Sequence, residues 1–458
     1  MTAELIVNLF DMATPGHLAQ GLWRHPQSTR LAAATSRFWI DQARRAEEAL
    51  VDALFLADVL GVYEGYRGSR DTAVREGVQV PNYDPLLLIP VMAAATEHLG
   101  FVATSTTSYE APFSFARRAS TLDHLTEGRF GWNIVTSYLP NAARNFGLAE
   151  EIPHDDRYAI AEEFLEVVYK LWEGSWDEGA VLADPEAGLL DPDRVHAIDH
   201  VGAHFRVAGP HLVDPSRQRT PVLFQAGASS TGLAFAGRHA ECVFVGGSTA
   251  EVVARNVQAI RRAAEEAGRD PASVKVLAEL GVVTGADAAT ARRRLDELDG
   301  YASIEGYLAK TAGGGPDLLA HDPDELVEEV NRRHGAGTAY NRFPPGTTVR
   351  EAVDSLRSIG QGAFFAVGSG VEVADRIEEW AAQTGLDGFN LRQALTPGTL
   401  DDFAEHVVPH LQARGLYRTA YTGGSLRDRL FGAGDRLPDS HPAAAARGAF
   451  TQVPPARR

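Results

Sequence analysis

Cysteine is nearly absent from this sequence, which contains one such residue among 458. A single cysteine cannot form an intramolecular disulfide, and it leaves no Cys-x-x-Cys pair for zinc binding or redox chemistry. Cys242 lies in a short apolar run that ends at Val245, so we expect a buried and unreactive thiol. The sequence therefore excludes a disulfide-stabilised scaffold.

Long hydrophobic runs and dense blocks of positive charge are also missing. The most apolar segment, Leu86 to Ala95, contains Pro90 and falls short of the ~20 residues that cross a bilayer. The N-terminal residues lack the basic flank, apolar stretch and cleavage site of a signal peptide. With 43 Lys+Arg against 61 Asp+Glu the net charge is -18, and such a chain repels a nucleic-acid backbone. We predict a cytoplasmic protein without a nucleic-acid or membrane partner.

What is present is an alternation of short apolar runs with longer amphipathic segments. The runs are apolar at consecutive positions, as in parallel strands that are covered on both faces. The predicted strands are Leu5–Leu9, Ala53–Ala57, Gly100–Thr104, Phe130–Val135, Val222–Gln225, Cys242–Val245, Val274–Val283 and Gly388–Leu391. The predicted helices are Ser36–Leu50, Pro85–His98, Pro112–Thr126, Arg157–Trp172, Thr249–Ala267 and Glu372–Thr384. This order predicts an α/β fold, a (β/α)8 TIM barrel with insertions, and an open doubly wound sheet is the alternative.

Three regions interrupt the alternation. Residues 174–220 are rich in Asp, Pro, Gly and His, and residues 300–345 contain a glycine run and a Pro-Pro pair. Long segments of this kind in a compact domain are usually functional loops, so we expect 300–345 to form a lid. Residues 435–458 are rich in Pro, Ala and Arg, which predicts a flexible C-terminal tail. We therefore predict one barrel domain over residues 1–430, with two insertions, followed by this tail.

The active site of such a barrel is built from the loops that follow the C-terminal ends of the strands. Hydroxyls, amides and glycines dominate those positions in this sequence. Ser229 and Ser230 stand in a Gly-Ala-Ser-Ser turn that opens a helix, and the free N–H donors of a helix N-terminus suit a phosphate group. The alternative is that either serine only caps the helix.

Histidines occur at two further positions of interest. His154 and Tyr158 open a predicted helix and are four residues apart, so they can face one ligand, although an acidic helix cap is the alternative. His17 follows the first predicted strand, and its place at the barrel mouth favours an acid–base or oxyanion-donor role as much as simple solvation.

Three more histidines, His196, His200 and His204, recur at four-residue spacing. On a continuous helix they would form a stripe that a metal site could use. Gly202 and the residues up to Pro210 instead indicate a hairpin or loop, so we favour a solvated loop and predict no metal ligand.

Several motifs together are more specific than any of these residues alone. The run from Gly128 to Ser137 carries most of the signal. Other parts of the pattern are Asn8–Pro26, Phe55–Asp58, Ala143–Gly147, Gln225–Ser229, Asp387–Leu391 and Arg414–Arg418. They resemble the bacterial-luciferase-like flavin monooxygenases, in the branch of the nitrilotriacetate, dibenzothiophene-sulfone and long-chain-alkane monooxygenases. The resemblance runs from about Leu5 to Leu430 and is weakest across residues 300–345.

This resemblance implies a two-component monooxygenase. Members take reduced FMN from a separate NAD(P)H:flavin reductase and add O2, which gives a flavin hydroperoxide that oxygenates a small organic substrate. By the family pattern, the residues expected to contact FMN are Asp58, Thr104, His154, Tyr158 and Ser229, with Asn133, Ser137 and Ser230 in addition. His17, from its place near the expected flavin ring, would stabilise or protonate the flavin-bound oxygen.

The substrate is less defined by the sequence. The expected pocket residues Phe10, Trp23, Tyr63, Tyr138 and Phe146 lean apolar, which favours an organosulfur or hydrophobic small molecule. The alternatives are a luciferase-like oxidoreductase that uses F420 or FMN without O2 activation, a non-catalytic flavin-binding protein and a metal-dependent hydrolase. The resemblance also implies a homo-dimer or homo-tetramer.

Overall fold

The computed structural model describes residues 4–227, 229–247, 249–310, 315–334, 343–362 and 364–451. Its strands are β1 (Ile6–Met12), β2 (Ala53–Ala57), β3 (Gly100–Thr106), β4 (Phe130–Val135), β5 (Val181–Asp184), β6 (Gly188–Leu190), β7 (His200–Val201), β8 (Arg206–Val207), β9 (Val222–Ala226), β10 (Cys242–Val245), β11 (Lys275–Gly285), β12 (Phe365–Ser369) and β13 (Gly388–Arg392). Its helices are α1 (Ser36–Glu48), α2 (Asp71–Glu76), α3 (Pro85–Ala93), α4 (Pro112–Leu125), α5 (Pro140–Asn145), α6 (His154–Tyr169), α7 (Ser230–His239), α8 (Ala250–Glu266), α9 (Ala288–Asp299), α10 (Ile304–Ala309), α11 (Val327–His334), α12 (Val349–Ser355), α13 (Gly370–Thr384), α14 (Gly398–Asp402), α15 (Val408–Ala413) and α16 (Leu426–Phe431).

The main sheet closes on itself as a parallel barrel. The ring runs β1-β2-β3-β4-β9-β10-β11-β13 and returns to β1, with every neighbouring pair parallel. All eight predicted strands lie in this ring, so the predicted TIM barrel is confirmed and the open sheet is wrong. A ninth strand, β12, pairs with the second half of β11 from Gly281 to Gly285, outside the ring.

Side chains alternate between the inside of the barrel and the helices around it. Phe10, Phe55 and Phe224 point inward, and Phe55 meets each of the other two rings edge to face, with ring centroids 5.5–5.7 Å apart. The opposite faces of the strands pack on the surrounding helices in one large apolar core. Cys242 is fully buried in the inner cluster, and burial raises the pKa of its thiol well above the usual value. The expected buried thiol is therefore confirmed.

The helix α16 closes the N-terminal end of the barrel. Leu426 and Leu430 pack into the inner cluster, and the Leu426 N–H donates to the carbonyl of Gly128 just before β4. A side chain at Gly100, at the start of β3, would clash with Leu426. The C-terminal end of the barrel is thus the end that is left for a ligand, as in other barrels of this kind.

The insertion over residues 174–220 contains two hairpins, β5–β6 and β7–β8. The second one carries His200 in β7 and His204 in its turn, whereas His196 precedes it. His196 and His200 are buried, so the predicted solvated loop is wrong for these two residues. His200 lies 3.2 Å from a carboxylate oxygen of Glu163, the main-chain N–H of His204 donates to the same carboxylate, and His196 lies 2.8 Å from Asp177. Within the described residues, no group of three His, Cys, Asp or Glu side chains could hold a metal ion.

The second insertion, 300–345, supplies α10 and α11, which pack with α2 and α12 in a separate apolar cluster around Tyr63, Leu139 and Val330. Residues 311–314, most of the predicted glycine run, and residues 335–342 lie outside the described ranges. No helix in the described part of the chain has the length and apolarity needed to cross a membrane.

The flexible tail predicted for 435–458 is wrong for the described part, which ends at Thr451. His441 and Ala443 are buried, and Arg447 pairs with Glu173 over 2.9 Å. The Ala- and Pro-rich composition predicted a segment without structure, but residues Pro442–Ala446 form a short 3-10 helix that packs on the end of α6.

Candidate active site

Two adjoining cavities open at the C-terminal ends of the strands. The first has a volume of about 300 Å³ and lies between the ends of β4 and β9 and the helices α6 and α7. The second, of about 390 Å³, lies over β3 and the loop that leads to α3. Both are lined by Asp58, Val59 and Leu60, which follow β2, so this short segment forms the wall between them.

The polar end of the first cavity is built by the N-terminus of α6, and the N-terminus of α7 lies beside it. His154, Arg157 and Tyr158 line it from the beginning of α6. Ser229 caps α7, because its hydroxyl accepts a hydrogen bond from the Gly232 N–H at 3.1 Å. The helix cap, which was the alternative for this serine, is therefore present, and its role in phosphate binding stays a prediction.

Ser229 also joins the two helices at this end. Its hydroxyl lies 3.2 Å from His154 Nε2, and Ser230 is the first residue of α7. Burial raises the pKa of the Tyr158 phenol, which faces the same place. The predicted residues His154, Tyr158, Ser229 and Ser230 are therefore brought together, beside helical N–H groups that suit an anion.

The remaining wall of the first cavity is largely apolar. It is formed by side chains of the loop after β2, the end of β4, the segment that leads into α5, and α7, namely Val59, Leu60, Ile134, Val135, Leu139, Ala142 and Phe235. Gln225 interrupts this wall: it is 2% exposed, and its Oε1 has no hydrogen-bond partner among the described residues.

Hydroxyl groups of β3 line the second cavity. The Thr104 hydroxyl accepts a hydrogen bond from Asn133 Nδ2 at 2.8 Å, and the Oδ1 atom of the same buried Asn133 has no partner among the described residues. Ser137 donates to the hydroxyl of Thr106 at 2.9 Å. Ser137 has a φ of 58°, a left-handed conformation that is uncommon for a non-glycine residue and often marks a functional site.

Asp58 lies in the wall that the two cavities share. Its carboxylate accepts a hydrogen bond from Asn82 Nδ2 at 2.6 Å. Burial raises the pKa of Asp58 to about 6, the hydrogen bond from Asn82 opposes this rise, and the charge of Asp84 adds to it. The carboxyl therefore changes its charge near neutral pH.

His17 lies over the aromatic floor of the barrel. The imidazole is 8% exposed and meets the Phe10 ring edge to face, with centroids 4.8 Å apart. Burial lowers the pKa of His17 well below its usual value, and the positive charges of Lys310, Arg30 and Arg392 lower it further. The ring is therefore neutral at pH 7, and it can donate a hydrogen bond through one nitrogen only.

The predicted pocket aromatics do not share one location. The Tyr63 hydroxyl donates to Gln79 Oε1 at 3.0 Å and lies 2.8 Å from the hydroxyl of Tyr138, which lines the first cavity. Trp23 donates from its indole to the carbonyl of Glu76, and Phe146 stacks on Tyr109; neither lines one of the two cavities.

Arg157 and Gln225 line the first cavity but were not among the site residues selected from the sequence. Arg157 stands inside the recognised segment from His154 to Tyr158, and helical spacing would have placed it on the same face. Gln225 begins the Gln225–Ser229 motif, but a strand residue with an amide side chain carries no signal of its own.

Comparison with known proteins identifies the family. Residues 19–388 match the sequence profile of the luciferase-like monooxygenases. The chain is 46% identical to the long-chain alkane monooxygenase of Geobacillus thermodenitrificans over 99% of this chain and 100% of that protein. It is 42% identical to the dimethyl-sulfide monooxygenase of Hyphomicrobium sulfonivorans over 98% of this chain and 95% of that protein.

Solved structures agree with these sequence matches. The crystal structure of long-chain alkane monooxygenase superposes with a TM-score of 0.91, covering 98% of this chain and 100% of that chain. A riboflavin lyase crystallised with modified FMN and riboflavin is 36% identical, with a TM-score of 0.86 over 97% of this chain and 99% of that chain. The chain therefore belongs to the luciferase-like monooxygenase family, as a monooxygenase that uses a flavin and O2.

Proposed function

We propose that this protein is the oxygenase component of a two-component system that uses reduced FMN, supplied by an NAD(P)H:flavin reductase, to oxygenate a small neutral organic molecule. The observation that carries the proposal is the first cavity, which has the N-terminus of α6 at its polar end, the N-terminus of α7 beside that end and an apolar wall, in a chain of this family. The related riboflavin lyase, crystallised with modified FMN, supports FMN as the flavin.

The donor and acceptor groups around the two cavities fit FMN. The hydroxyls of Ser229 and Tyr158 and the N–H groups at the start of α7 suit a phosphate. The buried and unpartnered oxygens of Gln225 and Asn133 are acceptors for the hydroxyl or N–H groups of a flavin. When bound, reduced FMN supplies the electrons that activate O2 for transfer of one oxygen atom.

Different residues of this chain have different roles in binding the cofactor and in the reaction. His154, Tyr158, Ser229 and Ser230 hold the phosphate end, and Asp58, Thr104, Asn133 and Ser137 orient the rest of the cofactor. His17, neutral at pH 7, stabilises developing negative charge by donating its N–H hydrogen bond, since an imidazolium is disfavoured at this buried position.

Exclusion of water falls to the segment that begins the second insertion. The Ser303 N–H donates to the carbonyl of Gln20 at 2.9 Å, and the Ser303 hydroxyl donates to Glu76 at 2.6 Å. The first bond ties the start of α10 to the loop that carries His17, and the second ties it to the end of α2. We assign the lid role to this segment because shielding the site prevents loss of the activated oxygen to water.

The substrate is proposed to be neutral and hydrophobic, such as a thioether, a sulfone or an alkane. The first cavity has an apolar wall, and the second is lined by Asp58, Asp84 and Glu110 against the single cation of Arg118. This excess of negative charge disfavours polycarboxylates. The relatives named for alkanes and for dimethyl sulfide support the same class.

The test is aerobic incubation with FMN, NADH and a flavin reductase, with mass spectrometry of a panel of thioethers, sulfones, alkanes and aminopolycarboxylates. We expect a gain of one oxygen atom on a neutral compound, and no product when the reductase or FMN is omitted. Failure of the protein to bind FMN in either redox state would contradict the proposal, and products formed only from polycarboxylates would contradict the substrate class.

A further inference from the structure

A buried arginine lies at the polar end of the first cavity. Arg157 is 7% exposed and lines this cavity beside His154 and Tyr158. The three residues occupy positions i, i+3 and i+4 at the beginning of α6, so that one face of the helix brings them together. This face lies beside Ser229, which caps α7.

The charge of Arg157 is only partly matched by the protein. Its Nη1 pairs with the carboxylate of Glu151, and its buried Nε has no hydrogen-bond partner within the described residues. The hydroxyl of Tyr109, which interacts electrostatically with this guanidinium, is also buried without such a partner. A buried N–H donor that finds no acceptor is costly, and the cost is removed when a ligand accepts the hydrogen bond.

The other charged groups at this end have partners of their own. Asp155 accepts a hydrogen bond from the Thr231 hydroxyl at 3.2 Å and lies 2.8 Å from His154 Nδ1. Asp58 lies in the opposite wall, where it is bound by Asn82. Among the described residues that line this cavity, Arg157 is the only arginine or lysine. It lies near the N-terminus of α7, whose free N–H groups also favour an anion.

We propose that Arg157 binds the terminal phosphate of the flavin and thereby makes the protein select FMN over riboflavin. This inference rests on the proposed use of FMN. A guanidinium forms charge-assisted hydrogen bonds with phosphate oxygens, which are stronger than bonds between neutral groups. Riboflavin has the same ring and ribityl chain but no phosphate, so it gains nothing from this cation.

The test measures dissociation constants for FMN and for riboflavin by fluorescence quenching. The wild type is compared with Arg157→Met, Arg157→Lys and the matched control Arg238→Met. Arg238 lies in the last turn of α7, pairs with Glu162 of α6 and lines neither cavity. The control therefore removes one positive charge away from the cavities. Thermal unfolding of each variant verifies that it is folded.

We expect the wild type to prefer FMN and Arg157→Met to weaken FMN binding about tenfold or more, as for a hydrogen bond to a charged group. Riboflavin binding should stay the same, Arg157→Lys should keep part of the preference, and Arg238→Met should keep all of it. Inorganic phosphate should compete with FMN for the wild type.

Equal losses for both flavins, or an unchanged FMN affinity in Arg157→Met, would overturn the inference and leave Arg157 as a structural partner of Glu151. If the Met variant does not fold, a full FMN preference in Arg157→Lys together with no competition by phosphate would overturn it. Absence of FMN binding by the wild type would instead contradict the proposed function itself, so the two failures are distinguishable.

Discussion

The ammonium group of Lys310 donates a hydrogen bond to the main-chain carbonyl of His17 over 3.3 Å. Gln20 donates to the same carbonyl at 2.9 Å from within the loop. Lys310 follows α10, whereas His17 follows β1, so the bond joins the second insertion to the barrel mouth. The same positive charge is among the causes that lower the pKa of the His17 imidazole.

Replacement of Lys310 by Met should raise the pKa of His17. Burial is the largest cause of the lowered value, so we expect the pKa to move toward the ordinary value without reaching it. An NMR titration of the histidine ring protons measures the change. Lys170→Met, which removes a charge at the far end of α6, is the control, and an identical titration of His17 in both variants would refute the coupling.

Replacement of His17 by Ala should uncouple flavin consumption from substrate oxidation. If the neutral imidazole stabilises the oxygen-bearing cofactor, its loss should lower the yield of oxygenated product per NADH by about tenfold or more, as for other oxyanion donors. FMN affinity should remain close to that of the wild type. Quantification of peroxide and product measures the ratio, and full coupling in the variant would exclude this role.

Replacement of Asp58 by Asn should change how stability depends on pH. The pKa of Asp58 is raised to about 6 in the folded state, above the ~3.9 of an unfolded chain. Between about pH 4 and pH 6 the folded state therefore keeps a proton that the unfolded chain has lost. The free energy of unfolding falls as the pH rises through this range.

We therefore compare the free energy of unfolding of Asp58→Asn with that of the wild type at each pH. This difference should favour the variant by about 2 kcal/mol more at pH 7.5 than at pH 4.5. Thermal and denaturant unfolding at both pH values measure this difference. The exposed Asp41→Asn serves as the control. A stability difference that is independent of pH would contradict the raised pKa.

Replacement of Ser229 by Ala should separate helix capping from cofactor binding. Both Ser229 and Thr249 cap a helix with their hydroxyls, at α7 and at α8. Each Ala variant should lose about 1 kcal/mol of unfolding free energy. Only Ser229→Ala should also weaken FMN binding, which fluorescence titration measures. Equal FMN affinities in the two variants would leave Ser229 as a cap alone.

The barrel could be predicted because its strands have a direct signal in the sequence. Runs such as Ala53–Ala57 are apolar at every position because both faces are covered, inside by the inner cluster and outside by helices. The strand β12 begins with a short apolar run, Phe364–Val367, but glycines 360, 362 and 370 flank it and Gly368 interrupts it, so this segment resembles a loop in the sequence.

The candidate site could be predicted where a residue directly follows a strand or begins a helix, as Asp58 and Ser229 do. It could not be predicted where long-range packing decides the position. Trp23 follows the first strand, yet its indole turns toward the carbonyl of Glu76 and away from the cavities. The contact between Lys310 and His17 spans 293 residues and leaves no local pattern.

The closure of the barrel by α16 has a consequence for biosynthesis. The strand β1 is made first, but the inner apolar cluster that it belongs to is completed only by Leu426 and Leu430. A ribosome-bound chain that ends before these residues exposes the apolar cluster at the N-terminal end of the barrel to water. We therefore expect the nascent polypeptide to depend on chaperones until its last helix has emerged.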